Sequence, residues 1–117
     1  MKLVCYKSVQ IWLKELRGRY STDEINQRLE LLDKFCDFVE RNPDELVNEI
    51  YNFETHKTRI TKRDYYNSKI NEFIEELEGT HSVKDNFGNI LDGFFIYNGI
   101  KMFRKRKVWT HDGRVSI

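Results

Sequence analysis

The chain has one proline and six glycines in 117 residues, too few for a sandwich of many tight turns. It has two cysteines, Cys5 and Cys36, which without helpers make neither a disulfide framework nor a metal site. Cys36 falls inside an apolar helical pattern and reads as a reduced core thiol, so the expected compartment is a reducing cytosol. His56, His81 and His111 are scattered, without the cysteine or carboxylate spacing of a metal site. No glycine-rich phosphate loop and no nucleophile motif occurs, so neither catalysis nor a cofactor is expected. No apolar run reaches 18 residues, and the N-terminal "MKLVCYKSVQ" lacks the apolar block of a signal peptide. No membrane partner is expected.

What is present suits a folded helical domain. Hydrophobic residues make up 39% of the chain and aromatics 14%, which a disordered chain would lack. The net charge of +1 hides a division. Residues 1–100 carry fourteen Lys and Arg against eighteen Asp and Glu, whereas residues 101–117 carry six against Asp112 alone. Such polarity suggests an anionic partner at one end, with nucleic acid the commonest.

Five helices are expected. The first runs about Tyr6–Arg17, with Val9, Trp12, Leu13 and Leu16 on one face and Gly18 as its stop. Ser21 opens the second with a capping box closed by Glu24, and Ile25, Leu29, Leu32, Cys36 and Val39 follow at helical steps. Asn42, Pro43 and Glu45 start the third, with Asp44 complementing its dipole. It fades into "FETHKTRITKR", read as a loop or frayed turn. A fourth begins near Thr61 and stops at Gly79. Ser82, with Asp85 as box partner, is expected to cap a fifth helix from Val83 to about Tyr97. Its inward residues are Val83, Phe87, Ile90, Leu91 and Phe94, and Asn98-Gly99 terminates it. Gly88 and Gly93, inside that helix, predict close approach of another helix.

Two basic clusters stand out. "HKTRITKR" supplies Lys57, Arg59, Lys62 and Arg63 with no acid among them. "RKRK" supplies Arg104, Lys105, Arg106 and Lys107, flanked by Phe103 and Trp109. Cations that converge on one track can neutralise a phosphate backbone. The plain alternatives are a solvated loop and a solubilising tail. The junction of the fourth and fifth helices also has the form of a helix-turn-helix, with Lys84, Asn86 and Asn89 near the second helix start.

The order of these parts resembles the SAM-like core-binding domain of tyrosine recombinases (phage-type integrases), most closely the archaeal members. "VQIWLKELRGRYSTDEINQRLELLDKFCDFV" is similar to the family's first two helices, and "NPDELVNE" to an inserted helix. "INEFIEELEGTHSVKDNFGNILDGFFIYNGIKM" is similar to the last two helices before the linker to a catalytic domain. The resemblance covers residues 6–102 and "FFIYNGIK" is its most specific part. It implies an all-α bundle of four to five helices over residues 1–102. Residues 103–117 would be a basic linker or tail, or a short hairpin.

The function so implied is duplex DNA binding as the core-binding arm of a site-specific recombinase or integrase. Partners would be duplex DNA and a catalytic recombinase domain or other protomers. The resemblance places Arg19, Ser21, Thr22, Asn26 and Arg28 of the second helix at DNA, with Ser82, Lys84, Asn86 and Asn89 of the last. Asp23, Glu24 and Asp85 at those helix starts would repel phosphates, which shifts affinity onto the basic tail. The family's nucleophilic tyrosine and its arginine–lysine–histidine pocket belong to a following domain, so no catalysis is implied here. The spelling His111-Asp-Gly-Arg114 matches one catalytic box but sits in a polar turn and reads as coincidence. Two other classes remain open. One is a helical protein-interaction or oligomerisation module, favoured by an exposed patch of Phe87, Phe94 and Phe95. The other is a helix-turn-helix transcription regulator, favoured by a hairpin in the final seventeen residues.

Overall fold

Helix α5, His81–Tyr97, is the element the others pack around, touching α1, α2 and α4. In a computed structural model of the chain, which describes residues 3–105, it follows a 3-10 turn (Leu3–Cys5), α1 (Lys7–Leu16), α2 (Thr22–Val39) and α3 (Pro43–Ile50). Between α3 and α4 (Ile60–Glu76) lies a two-residue antiparallel pair, β1 (Tyr51–Asn52) and β2 (Lys57–Thr58). The architecture is all-α, as expected. None of the described helices is long and apolar enough to cross a membrane.

The core is aromatic at its centre. Trp12 of α1 meets Phe94 edge-on at 5.5 Å, and Phe94 meets Phe95 at 5.1 Å. Phe73 of α4 receives both Phe35 and Phe38 of α2 at 5.5 Å. Edge-to-face pairs add about 1 kcal/mol each beyond area burial. The exposed residues of α2 are all polar or charged, which fixes the face that this helix turns inward.

Two capping boxes form as their spellings predict. Ser21 Oγ accepts from the Glu24 amide while Glu24 accepts from the Ser21 amide, and Asn42 and Glu45 repeat the exchange. Asp44 also does more than complement the α3 dipole. Its Oδ1 accepts from both the amide (2.9 Å) and the hydroxyl (2.6 Å) of Ser8, so α3 caps the start of α1 across the fold. The N-cap of α1 itself, Tyr6, makes no side-chain cap.

Four expectations need correction. The fifth helix opens two residues early, because Thr80 rather than Ser82 accepts from the Val83 amide at 3.3 Å. Gly79, at φ 143°, turns the chain directly before it. Val83 thereby falls in the first turn and is exposed. The segment read as a loop contains β2 and directly follows its partner β1, and their connection is held by Asn52 Oδ1 accepting from the amides of Glu54 and Thr55. No helix crosses at the two glycines: Gly93 has open space beside it, and Gly88 faces the side chain of Arg104. Finally, Phe94 and Phe95 are fully buried and Phe87 partly so, so these three form no exposed patch.

The C-terminus of α5 does follow its spelling. Gly99 at φ 87° donates to the Ile96 carbonyl and Ile100 donates to that of Phe95, a Schellman ending with Ile100 buried. The proposed hairpin, Arg106, Lys107 and the His111–Arg114 turn lie outside the described residues.

Candidate nucleic-acid interface

Beyond Gly99 the chain alternates. Ile100 and Met102 are buried, and so is the Arg104 side chain, whereas Lys101, Phe103 and Lys105 are exposed. An extended segment with one face on a core has this period of two. It lies against both α4 and α5, and Arg104 is what joins it to them. Arg104 Nε meets the Asp92 carboxylate at 3.1 Å, and Nη1 donates to Asn71 Oδ1 at 2.9 Å. Asn71 in turn donates to the Lys105 carbonyl at 2.9 Å. With its side chain 1% exposed and committed to Asp92, Arg104 is not presented to a phosphate. The expectation that it is a DNA contact is corrected: it is the residue that ties the exit segment down.

The other cation of that segment, Lys105, is exposed. Around Phe103 a cation of the first basic cluster meets one from just ahead of the second. Arg63, from the first turn of α4, lies 5.0 Å from the Phe103 ring centroid, and Lys101 lies 5.9 Å from it. Arg63 is also 3.5 Å from Asp64.

The rest of the first cluster is divided. Lys57 on β2 is exposed. Arg59 Nη1 donates to the carbonyls of Asn48 (2.8 Å) and Glu49 (3.3 Å), so it closes the C-terminal turn of α3. Lys62 sits 3.5 Å from Glu49, a carboxylate that also accepts from the Tyr66 hydroxyl and from Arg41. Burial works against ionised Glu49, but the Tyr66 and Arg41 bonds and the Arg41 and Lys62 charges together hold it below its ordinary range.

At the start of α2, Thr22 and Asn26 are exposed, and Ser21 is spent on its capping box. The Ser21 amide and hydroxyl hold the Glu24 carboxyl below its ordinary range. Arg28 stacks 3.8 Å over the Tyr20 ring and donates to the Glu24 carbonyl. Arg19 lies 5.8 Å from the ring of Tyr97, the last residue of α5. At the opposite end of α5, Ser82, Asn86 and Asn89 are exposed, and Lys84 donates to the Glu75 carbonyl at 3.0 Å. The two groups that the resemblance places at DNA are therefore separated by the length of α5, about 24 Å at 1.5 Å per residue. Phe103 is where further cations gather.

No protein-family model, curated protein or solved structure matches the chain.

Sequence reading missed Lys101 and Phe103 as site residues. The signal was there in "IKMFRK", whose alternation marks an extended segment with one buried face. Four successive cations drew attention to the block instead of to its two faces.

Proposed function

We propose that the chain is a duplex-DNA-binding domain of the core-binding type found in tyrosine recombinases, and that it does no chemistry by itself. One observation carries the reading: Arg63 of the first basic cluster and Lys101, about forty residues later and just ahead of the second cluster, come together at Phe103. Lys105, exposed like Lys101, follows on the segment that leads into the remaining basic tail. Charges gathered this way suit a phosphate backbone, because releasing condensed counterions from DNA drives binding.

The test is a fluorescence-anisotropy titration of the full chain with a duplex oligonucleotide over a range of salt concentrations. Alanine at Lys101, Lys105 or Arg63 should each lower the slope of log K against log salt by about one. Absence of duplex binding at low salt would refute the proposal.

A second reading has its own support. Ile11 and Phe53, both exposed, line one cleft with Val47, Asn48 and Tyr97 between α1, α3 and α5. Lys7, Ser8, Asp44 and Asn98 complete its lining, and a cleft that mixes exposed apolar and polar side chains fits a protein partner or another protomer. Alanine at Phe53 separates the two readings, because it would weaken such assembly and leave duplex binding unchanged.

A further inference from the structure

Phe103 is 68% exposed, more than any other large hydrophobic side chain among the described residues. Exposure of one phenyl ring is ordinary for a loose tail. Here both chain neighbours are anchored: Met102 is buried, and the Arg104 side chain is held by Asp92 and Asn71. The ring is thus presented between two anchored residues, which lowers the ordering cost that a partner has to meet. Its outward neighbours two residues away are Lys101 and Lys105, each about 6.7 Å along the chain at the rise of an extended strand. Arg63 of α4 stands over the ring, its Cζ 5.0 Å from the centroid and its side chain 18% exposed, and most of the phenyl stays open to solvent.

A rigid aromatic ring flanked by cations is the arrangement that single-stranded nucleic acid requires, with a base on the ring and phosphates on the cations. A paired, stacked duplex offers phosphates to Lys101, Lys105 and Arg63 but no exposed base face to the phenyl. An unpaired base does offer one. We propose that Phe103 is a stacking platform for an unpaired base, and that Lys101, Lys105 and Arg63 hold the phosphates beside it. The inference rests on the nucleic-acid reading above and adds that this surface takes an opened or single-stranded element, not only a duplex. Charge favours this occupant over an acidic peptide, which satisfies the cations and leaves the ring unused.

The experiment compares three labelled probes on the full chain: a blunt duplex, the same duplex with a single-stranded overhang, and an oligoglutamate peptide. Fluorescence of a 2-aminopurine placed in the overhang reports stacking directly. The overhang probe should bind about tenfold more tightly than the blunt one, with quenching of the 2-aminopurine. Phe103→Ala should erase both the preference and the quenching, so that any loss of affinity is larger for the overhang probe than for the blunt duplex. Phe103→Trp should keep them. Equal binding of the two DNA probes, or a preference that survives Phe103→Ala, overturns this inference and leaves the duplex reading standing. Overhang binding without blunt-duplex binding does the reverse. Tight, Phe103-dependent binding of oligoglutamate without an overhang preference overturns it in favour of an acidic protein partner, and binding of none of the three overturns both readings.

Discussion

The Arg104 guanidinium occupies the space that a side chain at Gly88 would need. A Cβ at position 88 would stand 2.7 Å from Arg104 Cζ, and nearer still to Nη2. Because the fork is fixed by Asp92 and Asn71, it cannot swing aside without breaking an ion pair whose Arg104 side chain is 1% exposed. Gly88 is therefore the seat of the arginine that holds the exit segment.

A double-mutant cycle tests that relationship. Gly88→Ala alone should destabilise the chain by about 2 kcal/mol, since crowding and loss of the buried pair outweigh the helix propensity gained. In an Arg104→Ala background the same change should stabilise by about 1 kcal/mol, because alanine is the better helix former once the space is empty. The coupling energy from urea melts is the readout. Additive effects would mean that Gly88 and Arg104 do not meet.

Gly93 provides the contrast on the same helix. Nothing lies within 4 Å of a Cβ placed there, so Gly93→Ala should raise stability by roughly 0.5–1 kcal/mol through the unfolded-state entropy and helix propensity. A melting temperature that falls would show that the space is filled.

The contrast also marks what a sequence can disclose. Both boxes, Ser21–Glu24 and Asn42–Glu45, were legible because donor and acceptor are three residues apart. So were the Trp12 face of α1 and the Asn98-Gly99 ending, each carried by local spacing. Thr80 and Ser82 are spelled alike for capping, and the choice depended on the turn at Gly79. Arg104 reads as a cation available to DNA because its partners, Asp92 and Asn71, lie 12 and 33 residues away. The same distance hid the Asp44 cap on Ser8, 36 residues back. Of the candidate site, the two basic clusters are legible as clusters and the alternation of "IKMFRK" hints at two faces, while the partners that turn Arg104 in come from packing.

The two thiols should differ sharply in reactivity. Burial, with Asp33 and Asp37 adding their charge, pushes the Cys36 thiol up to about 12, so almost none of the reactive thiolate exists at pH 8. Cys5 is exposed. A disulfide reagent at pH 8 should therefore modify one thiol per chain quickly in the native protein and two in denaturant. Rapid reaction of both in native protein would contradict the burial of Cys36.

Acid should weaken the fold through Glu49. Its carboxyl is held below the ordinary value of 4.5 in the folded chain, so the unfolded state binds a proton first as pH falls. The stabilisation is in place above about pH 4.5 and is lost as pH drops through the lower folded value. Glu49→Gln removes that titration along with the charge-assisted bonds to Tyr66 and Arg41. The variant should lose about 2 kcal/mol at neutral pH and show a flatter decline of melting temperature below pH 4.5. Tyr66→Phe should cost about 1.5 kcal/mol at pH 7 and leave part of the acid dependence, because Arg41 and Lys62 still favour the carboxylate. An acid limb identical in wild type and Glu49→Gln would place the titrating group elsewhere.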